Sequence, residues 1–229
     1  MNTHTLDNWN LLLPSHPSPD IVKEYVWTGA SNNDVPLVQS VLAYAKDNNY
    51  IIDLTHAVHL SCVYNRMEML DVLEQYQPLT PHYVMTGLYS ASSGSQSEVL
   101  KRLLNTANIW GHEFYQHVDG NGLMDVVCMP GDVPEPQVLE CVQLIEPLLK
   151  DPELSSSVVD LVKSGHPNVA YYMLRYSSEE VLRQKAQDIQ ISHPHITTWI
   201  EQALDEYLNE KLTTATQAAT PINKTPRKM

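Results

Sequence analysis

The chain has 229 residues and a net charge of −13, and only 14 of its residues are lysine or arginine. Nucleic acids and anionic membranes are bound through basic surfaces, so this charge argues against both as the main partner. Hydrophobic residues make up 43% of the chain and charged residues 18%, which is typical of a globular protein and excludes a largely disordered one.

Targeting and cysteine patterns bear on the compartment. The N-terminal stretch MNTHTLDNWNLLLPSH has no basic segment before its apolar run, which excludes a standard signal peptide, and no stretch reaches the roughly 20 apolar residues of a membrane span. The three cysteines, Cys62, Cys128 and Cys141, show no CxxC spacing, so we expect free, buried thiols. The sequence therefore predicts a reducing compartment, either a bacterial cytoplasm or the cytosol of a host cell if the protein is a secreted effector.

Residues 1–19 are predicted to form an N-terminal extension that ends in a proline-rich link. Pro14, Pro17 and Pro19 separate its short apolar segment from the rest of the chain. Beyond residue 20, few segments alternate apolar and polar residues, whereas apolar residues at helical spacing occur throughout. The predicted fold class is therefore all-α.

Residues 20–190 carry a repeated pattern, in which two apolar residues are followed by two others and then by one more apolar residue. Its five copies are Leu37, Val38 and Val41; Met69, Leu70 and Leu73; Val99, Leu100 and Leu103; Val138, Leu139 and Val142; and Val169, Ala170 and Met173. The copies recur every 30 to 40 residues or so, and each follows a shorter helical segment and a turn containing Asn, Gly or Ser. This spacing predicts a helical-repeat solenoid of about five helix pairs.

The segment HAVHLSCVYNRMEMLDVLEQY resembles the ankyrin-repeat pattern Thr-Pro-Leu-His-x-Ala … Gly-His-x-x-x-Val-x-x-Leu-Leu. His59 stands at the family's His position and Ser61 at its Ala position. Five such copies span about residues 20–176, although the opening Thr-Pro pair is missing from each and Thr80-Pro81 stands out of register. The resemblance implies an array whose partner is usually a protein. Tetratricopeptide and HEAT repeats remain alternatives, but the short first helix and the Gly/Asn turn favour ankyrin repeats.

The stretch DGNGLMDVV, which begins at Asp119, has three competing interpretations. A calcium loop would need an oxygen ligand at its fifth position, which is Leu123, and a Glu at its twelfth, which is Pro130. A phosphate-binding loop would need Lys and Ser or Thr directly after the glycines, but the next lysine is Lys150. The remaining interpretation is a tight turn, shaped by the glycines, that starts the first helix of the fourth pair.

The repeat is interrupted on both sides of that stretch. NTANIWGHEFYQHVD, after Leu104, is predicted to be a long loop, and MPGDVPEP separates the two helices of the fourth pair. Insertions on one face of a repeat array often form its binding surface, and aromatic side chains contribute strongly at protein interfaces. The predicted partner-binding residues are aromatic residues of this loop and, by resemblance, residues at tip or first-helix positions: Trp110, Phe114, Tyr115, Asn121, Leu123 and Tyr25.

The spacing of the histidines does not predict a metal or catalytic site. His112 and His117 in HEFYQH are five residues apart, about 140° around a helix, whereas the zinc-protease motif needs a separation of four. His56 and His59 are spaced to share a metal, but no third ligand is placed to complete the shell. We therefore expect His59 to pack and hydrogen-bond between repeats. The sequence predicts a non-enzymatic protein without catalytic residues, metal or cofactor.

Residues 191–212 contain the clearest single helix. SHPHITTWIEQALDEYLNEKL places its apolar residues on one stripe and its acidic residues on the other side, with Ser192 or His193 suited to cap it. This helix is predicted to cap the end of the array, with a docking or self-association surface around Trp199 as the alternative. Residues 213–229 are small, polar and finally basic, and they are predicted to form a disordered tail.

These features together predict protein binding through the loop tips and the concave face of a helical-repeat array, with the partner unidentified. The alternative is a secreted bacterial or viral effector, or an effector modulator, that binds and inhibits or modifies a partner enzyme. Degenerate repeats with inserted loops are compatible with such a protein. A third hypothesis is a homo-oligomeric structural protein that associates through the Trp199 helix.

Overall fold

A computed structural model describes residues 4–129, 132–150 and 152–219. All the regular structure in these ranges is helical, which confirms the all-α prediction. The chain divides into two compact units, Met1–Lys150 (unit 1) and Asp151–Met229 (unit 2). The fifth predicted helix pair therefore belongs to unit 2, whereas the other four belong to unit 1.

In the described part of unit 1, ten α-helices follow one another. They are α1 (Leu6–Leu12), α2 (Pro19–Asn32), α3 (Val35–Asp47), α4 (Thr55–Val63), α5 (Met67–Tyr76), α6 (Pro81–Ser93), α7 (Ser97–Ala107), α8 (Gly111–His117), α9 (Gly120–Val127) and α10 (Glu135–Ile145). Short 3-10 turns extend three of these helices, at Leu13–Ser15, Asn108–Trp110 and Glu146–Leu148.

Eight of these helices form four pairs of consecutive helices: α2 with α3, α4 with α5, α6 with α7, and α9 with α10. First helices also pack on first helices, α2 on α4, α4 on α6 and α6 on α9. Second helices do the same, α3 on α5 and α7 on α10, and Arg102 of α7 forms ion pairs with Asp71 and Glu74 of α5. Neighbouring pairs thus contact each other first helix to first helix and second helix to second helix.

The repeated apolar pattern lies on the second helix of each pair, as predicted. Its residues on α3, α5 and α7 are fully buried, and so are Val138 and Val142 on α10, while Leu139 is half-buried. Full burial of one such side chain contributes about 1.5–3 kcal/mol. Helices this short are marginal in isolation, so this packing is what stabilises them.

The turn inside three of these pairs has the same conformation. Within two residues of the end of each first helix, the backbone takes the left-handed conformation, with φ of 57° at Asn33, 54° at Asn65 and 50° at Ser95. The next residue then donates its N–H to the carbonyl oxygen five residues earlier, at 2.8 Å in all three turns. This is the Schellman hydrogen bond, and asparagine tolerates the left-handed region better than most residues. The predicted Asn and Ser turns are confirmed.

The N-terminal extension contributes to the core of unit 1. Thr5 caps α1 through a hydrogen bond from the Asn8 N–H, and α1 packs on α3. Trp9 is fully buried, and its ring centroid lies 5.2 Å from that of Tyr25 and 5.4 Å from that of Tyr44. The extension therefore supplies a large apolar side chain that the composition of residues 1–19 did not predict.

The segment after Leu104 is helical, which corrects the predicted long loop. α7 continues to Ala107, a 3-10 turn follows, and α8 occupies the next two turns of helix. Phe114, only 6% exposed, gives α8 an apolar side that is removed from water, and α8 packs on α7. An amphipathic segment with such a side gains more from helix formation and burial than from remaining a solvated loop.

The stretch DGNGLMDVV starts a helix, as predicted. The Asp119 carboxylate accepts a hydrogen bond from the Gly122 N–H at 3.0 Å, and α9 begins at Gly120. The role of the first glycine differs from the prediction, because Gly120 lies inside the helix and a Cβ there would stand 2.3 Å from the Leu148 carbonyl oxygen. Gly120 thus permits a close approach between two segments. In the MPGDVPEP insertion that follows, residues 130 and 131 lie outside the described ranges.

In the described part of unit 2 there are four α-helices: α11 (Ser155–Lys163), α12 (Pro167–Met173), α13 (Glu179–Ile189) and α14 (Pro194–Ala219). α11 and α12 form the fifth predicted pair, with Gly165 at the left-handed position and the same 2.8 Å hydrogen bond, from the His166 N–H to the Leu161 carbonyl oxygen. α14 packs on α13 and α11, and Ile196 and Ile200 of its predicted stripe are buried. It continues past the predicted end at residue 212 to Ala219, and the last part of the predicted tail, residues 220–229, lies outside the described ranges.

Candidate protein-binding cleft

The inserted helix α8 forms one wall of a surface cleft in unit 1. Gly111 takes φ 65° where the 3-10 turn leads into α8, a backbone that favours glycine, and it lets the chain change direction there. The rings of Trp110 and Phe114 lie 5.2 Å apart between centroids on either side of this point. The aromatic residues of the insertion thus hold the turn and the helix together.

Tyr115 fixes α8 to the end of α7. Its hydroxyl is 2.9 Å from the Leu104 carbonyl oxygen and 2.7 Å from Asn108 Oδ1, and it donates its proton between these two acceptors. A tyrosine is protonated near neutral pH, and burial raises the pKa of the Tyr115 hydroxyl further, so it is available as a donor. The wall is therefore held by hydrogen bonds as well as by apolar contact.

The opposite wall is the end of α10 and the chain that follows it. The side-chain amide of Asn121 pairs with the backbone of Lys150, donating to its carbonyl oxygen at 3.1 Å and accepting from its N–H at 3.4 Å. The Lys150 ammonium donates to the Gln116 carbonyl oxygen at 3.1 Å, which links this wall to α8. Close packing of Gly120 in α9 against Leu148 also holds the chain after α10 in place.

The cleft between these walls has a volume of about 480 Å³. Its lining is mostly apolar, and the residues are Leu104, Asn108, Tyr115, Gln116, Leu144, Pro147, Leu148, Leu149 and Lys150. Among these, Lys150 alone is charged. A concave apolar surface with a few polar groups at its rim is the usual form of a site that binds an apolar side chain. The lining contains no His, Cys, Asp or Glu, and its two titratable side chains, Tyr115 and Lys150, make the hydrogen bonds described above.

One of the six predicted contact residues is part of the lining of this cleft. Tyr115 lines it, and Trp110 is half-buried at the start of α8. Three others have buried side chains. Phe114 is 6% exposed, Tyr25 is 4% exposed and Leu123 is fully buried, so their side chains are core residues with little area to offer a partner.

Asn121, the last of the six, is half-buried and pairs its side-chain amide with the Lys150 backbone, so it shapes the wall, and its contact with a partner stays a prediction. Sequence reasoning missed the four leucines of the lining, at positions 104, 144, 148 and 149. Leu148 and Leu149 follow Pro147 directly, and an apolar pair just beyond a helix-ending proline was the signal available for them.

Comparison with known proteins gave no match: no protein-family model, no curated protein and no solved structure corresponds to this chain. The ankyrin resemblance therefore stays a prediction from the residues quoted above.

A second surface in unit 1 carries a line of rings across its first helices. The Lys23 ammonium lies 4.5 Å from the centroid of the Trp27 ring, Trp27 is 5.4 Å from His56, and His56 is 6.3 Å from His59. Nδ1 of His59 is 2.8 Å from the Ser90 hydroxyl, which itself donates to a carbonyl oxygen of α6, so His59 donates here. The predicted hydrogen bond from His59 to a neighbouring helix pair is confirmed.

Metal ligands and thiols are the remaining candidates for chemistry among the described residues. No group of three His, Cys, Asp or Glu side chains there is placed to hold a metal ion, and the side chain of His112 in HEFYQH lies outside them. The three cysteines are free and buried, and burial raises the pKa of Cys62 and of Cys141 to about 12. None of the described helices is both long and apolar enough to cross a bilayer.

Proposed function

We propose that this chain is a protein-binding module, in which an ankyrin-like array of helix pairs presents the cleft beside α8 to a segment of a partner protein. The observation that carries this proposal is the apolar cleft of about 480 Å³ itself. It lies where an extra helix interrupts the repeat, and insertions in repeat arrays often serve binding.

The contacts between the helix pairs support the proposal of a repeat array. First helices pack on first helices and second helices on second helices, and the same Schellman turn recurs in three pairs of unit 1. Repeats of this kind present an extended surface on which insertions stand out. Such a scaffold would hold the two walls of the cleft at a fixed separation.

The chemistry of the cleft favours a partner segment with an apolar anchor. Leu104, Leu144 and Leu148 offer apolar area, and burying one Leu or Phe side chain of a partner there contributes about 1.5–3 kcal/mol. Ile109, which follows the lining residue Asn108, is 80% exposed, so the insertion also presents an apolar side chain to solvent. Asn108 and Gln116 supply polar groups at the rim for the partner's backbone.

Selection from a displayed peptide library tests the proposal. The protein should select peptides that share one large apolar residue, and those peptides should not bind a Leu144→Glu variant, which places a carboxylate in the cleft. Gln116→Trp, which fills the mouth of the cleft from exposed α8, should block the same peptides without adding charge.

Ile51→Glu is the matched control, because Ile51 is apolar, 94% exposed and not part of the cleft. Circular dichroism spectra equal to that of the parent protein establish that each variant is folded. The proposal fails if the selected peptides bind Leu144→Glu and Gln116→Trp as tightly as they bind Ile51→Glu.

A further inference from the structure

Unit 2 contains an elongated groove between α12 and α14. Its volume is about 340 Å³, and its lining includes Tyr171 of α12 and Trp199, Ala203, Glu206 and Glu210 of α14. The four residues of α14 are spaced by four, three and four positions, so they lie on one face of the helix. At about 1.5 Å per residue, that face is about 16 Å long from Trp199 to Glu210. The groove therefore suits a linear ligand.

Two aromatic side chains of the groove, Tyr171 and Trp199, are half-buried. Beside them, the Tyr207 ring packs edge-on against Tyr171, with 6.3 Å between the ring centroids, and the Lys211 ammonium lies 4.6 Å from the centroid of the Tyr207 ring. An alkylammonium group thus already lies on a ring next to the groove. Aromatic faces attract cations, and methylene groups bury apolar area against them. The rings favour a ligand whose cationic groups are joined by methylene chains.

The carboxylates of the groove have no cation of their own. Glu206 and Glu210 are exposed, and neither forms an ion pair with a basic side chain in the described part of the chain. Arg183 instead pairs with Asp205 at 3.1 Å. Burial raises the pKa of Tyr171, and its hydrogen bond to Glu210 and the charges of Glu210 and Glu206 raise it further, as expected at negative potential. Like charges one turn apart on a helix repel each other, so a bound cation would relieve this repulsion.

The spacing of the carboxylates favours a ligand with more than one cationic group. Glu206 and Glu210 are four residues apart, which is about 6 Å along the helix axis. Since C–C bonds are about 1.5 Å long, a chain of three or four methylenes separates two ammonium groups by about the same distance. A single lysine side chain brings one ammonium group and leaves one carboxylate unpaired. Linear polyamines carry two or more ammonium groups at this spacing within one short molecule.

We propose that the groove between α12 and α14 binds a linear polyamine, with two of its ammonium groups at Glu206 and Glu210 and its methylene chain against Tyr171 and Trp199. Charge-assisted hydrogen bonds, cation–π attraction and burial of methylene groups all favour this binding. Both walls belong to helices that pack on α11, so ordering on binding is confined to the rotatable bonds of the polyamine. The site lies in unit 2 and does not depend on the cleft proposed in unit 1.

Fluorine NMR of the full chain labelled with fluorotryptophan tests the proposal. The chain has four tryptophans, and the signal that Trp199→Phe removes belongs to Trp199. Spermidine should shift this signal saturably, while Trp9, Trp27 and Trp110 serve as internal controls. Sodium chloride and magnesium chloride at the same ionic strength should produce no comparable shift, because they carry charge without a methylene chain.

Variants and an analogue of the ligand then identify the contacts. Glu206→Gln with Glu210→Gln should weaken spermidine binding by about tenfold, through the loss of two exposed ion pairs. The matched control, Glu180→Gln with Glu201→Gln, removes the same charge from exposed positions outside the groove and should change the affinity by less than about twofold. An analogue of spermidine that lacks one terminal amine should bind the parent protein about three- to fivefold more weakly.

Three results would overturn the proposal. The first is an equal shift of the Trp199 signal by magnesium chloride, which would leave only diffuse association of counterions. The second is spermidine binding that the groove variant and the control variant weaken to the same extent. The third is equal affinity for spermidine and its analogue, which would assign the groove to a single ammonium group, such as a lysine side chain of a partner protein.

Discussion

Replacing Gly120 by alanine should destabilise unit 1, whereas the same change at Gly122, two residues later, should not. A Cβ at position 120 would stand 2.3 Å from the carbonyl oxygen of Leu148 and 2.6 Å from its carbonyl carbon. Both are backbone atoms, so relief needs a shift of the segment that forms the far wall of the cleft. A Cβ at position 122 would meet the Asp119 carboxylate at 2.5 Å, and that carboxylate can rotate away.

The magnitudes follow from these contacts. Overpacking against fixed atoms costs about 1–3 kcal/mol, and a backbone clash belongs in the upper part of that range. In a helix, alanine is more stabilising than glycine by about 0.5–1 kcal/mol. The net loss for Gly120→Ala is therefore about 2 kcal/mol. For Gly122→Ala, the loss of the Asp119 cap, about 1 kcal/mol, and the helical gain nearly cancel.

Urea unfolding followed by tryptophan fluorescence measures this difference. In a Trp199→Phe background the remaining tryptophans all lie in unit 1, so the signal reports that unit alone. With a slope of about 2 kcal/mol per molar urea, Gly120→Ala should lower the midpoint by about 1 M. Equal midpoints for Gly120→Ala and Gly122→Ala would refute the close approach of α9 to Leu148.

Three further predictions concern a turn, the thiols and a carboxylate. Gly165→Ala should cost about 1–2 kcal/mol through its left-handed backbone alone, since nothing lies within 4 Å of the added Cβ, and the part of the tryptophan fluorescence that Trp199→Phe removes, followed in urea, measures it. Cys62 and Cys141, with pKa values raised to about 12 by burial, should resist a thiol reagent at pH 8 and react once urea unfolds the protein; fast labelling of the folded protein would contradict this. Burial acts to raise the pKa of Glu153, but hydrogen bonds from Ser155 and Ser178 lower it overall, so this carboxylate stabilises the fold above its unfolded pKa. Glu153→Gln should therefore lower the thermal midpoint at pH 7, and the difference should shrink as pH falls from about 4 through the lowered folded-state pKa; a difference that stays constant or grows as pH falls would contradict the assignment.

The helices and most of the core could be predicted from the sequence because both depend on local spacing. The stripe of Val99, Leu100 and Leu103 marks a buried face whatever the helix packs against. The left-handed turn at Asn65 follows in the same way from the residue that tolerates it. Whether NIWGHEFY forms a loop or a helix depends instead on the burial of Phe114 in the folded protein, which spacing alone does not reveal.

The cleft was harder to predict than the insertion beside it. The sequence identified the interruption of the repeat and, with it, Tyr115. The opposite wall contains Leu144 and Leu148, which follow Tyr115 in the sequence by about 30 residues. The pairing of Asn121 with the Lys150 backbone holds this wall in place. Contacts of that range depend on how α9 and α10 pack, and no local pattern in the sequence encodes them.

The most direct test of the account is the affinity of a peptide selected by the protein for three forms of it, measured by isothermal titration calorimetry. Loss of one apolar anchor from the cleft removes about 1.5–3 kcal/mol, so Leu144→Glu should weaken binding by about 10- to 100-fold. Ile51→Glu, with the same change of charge at an exposed position outside the cleft, should bind within about twofold of the parent protein. Equal affinities for all three folded proteins would contradict the claim that this cleft is where the chain binds its partner.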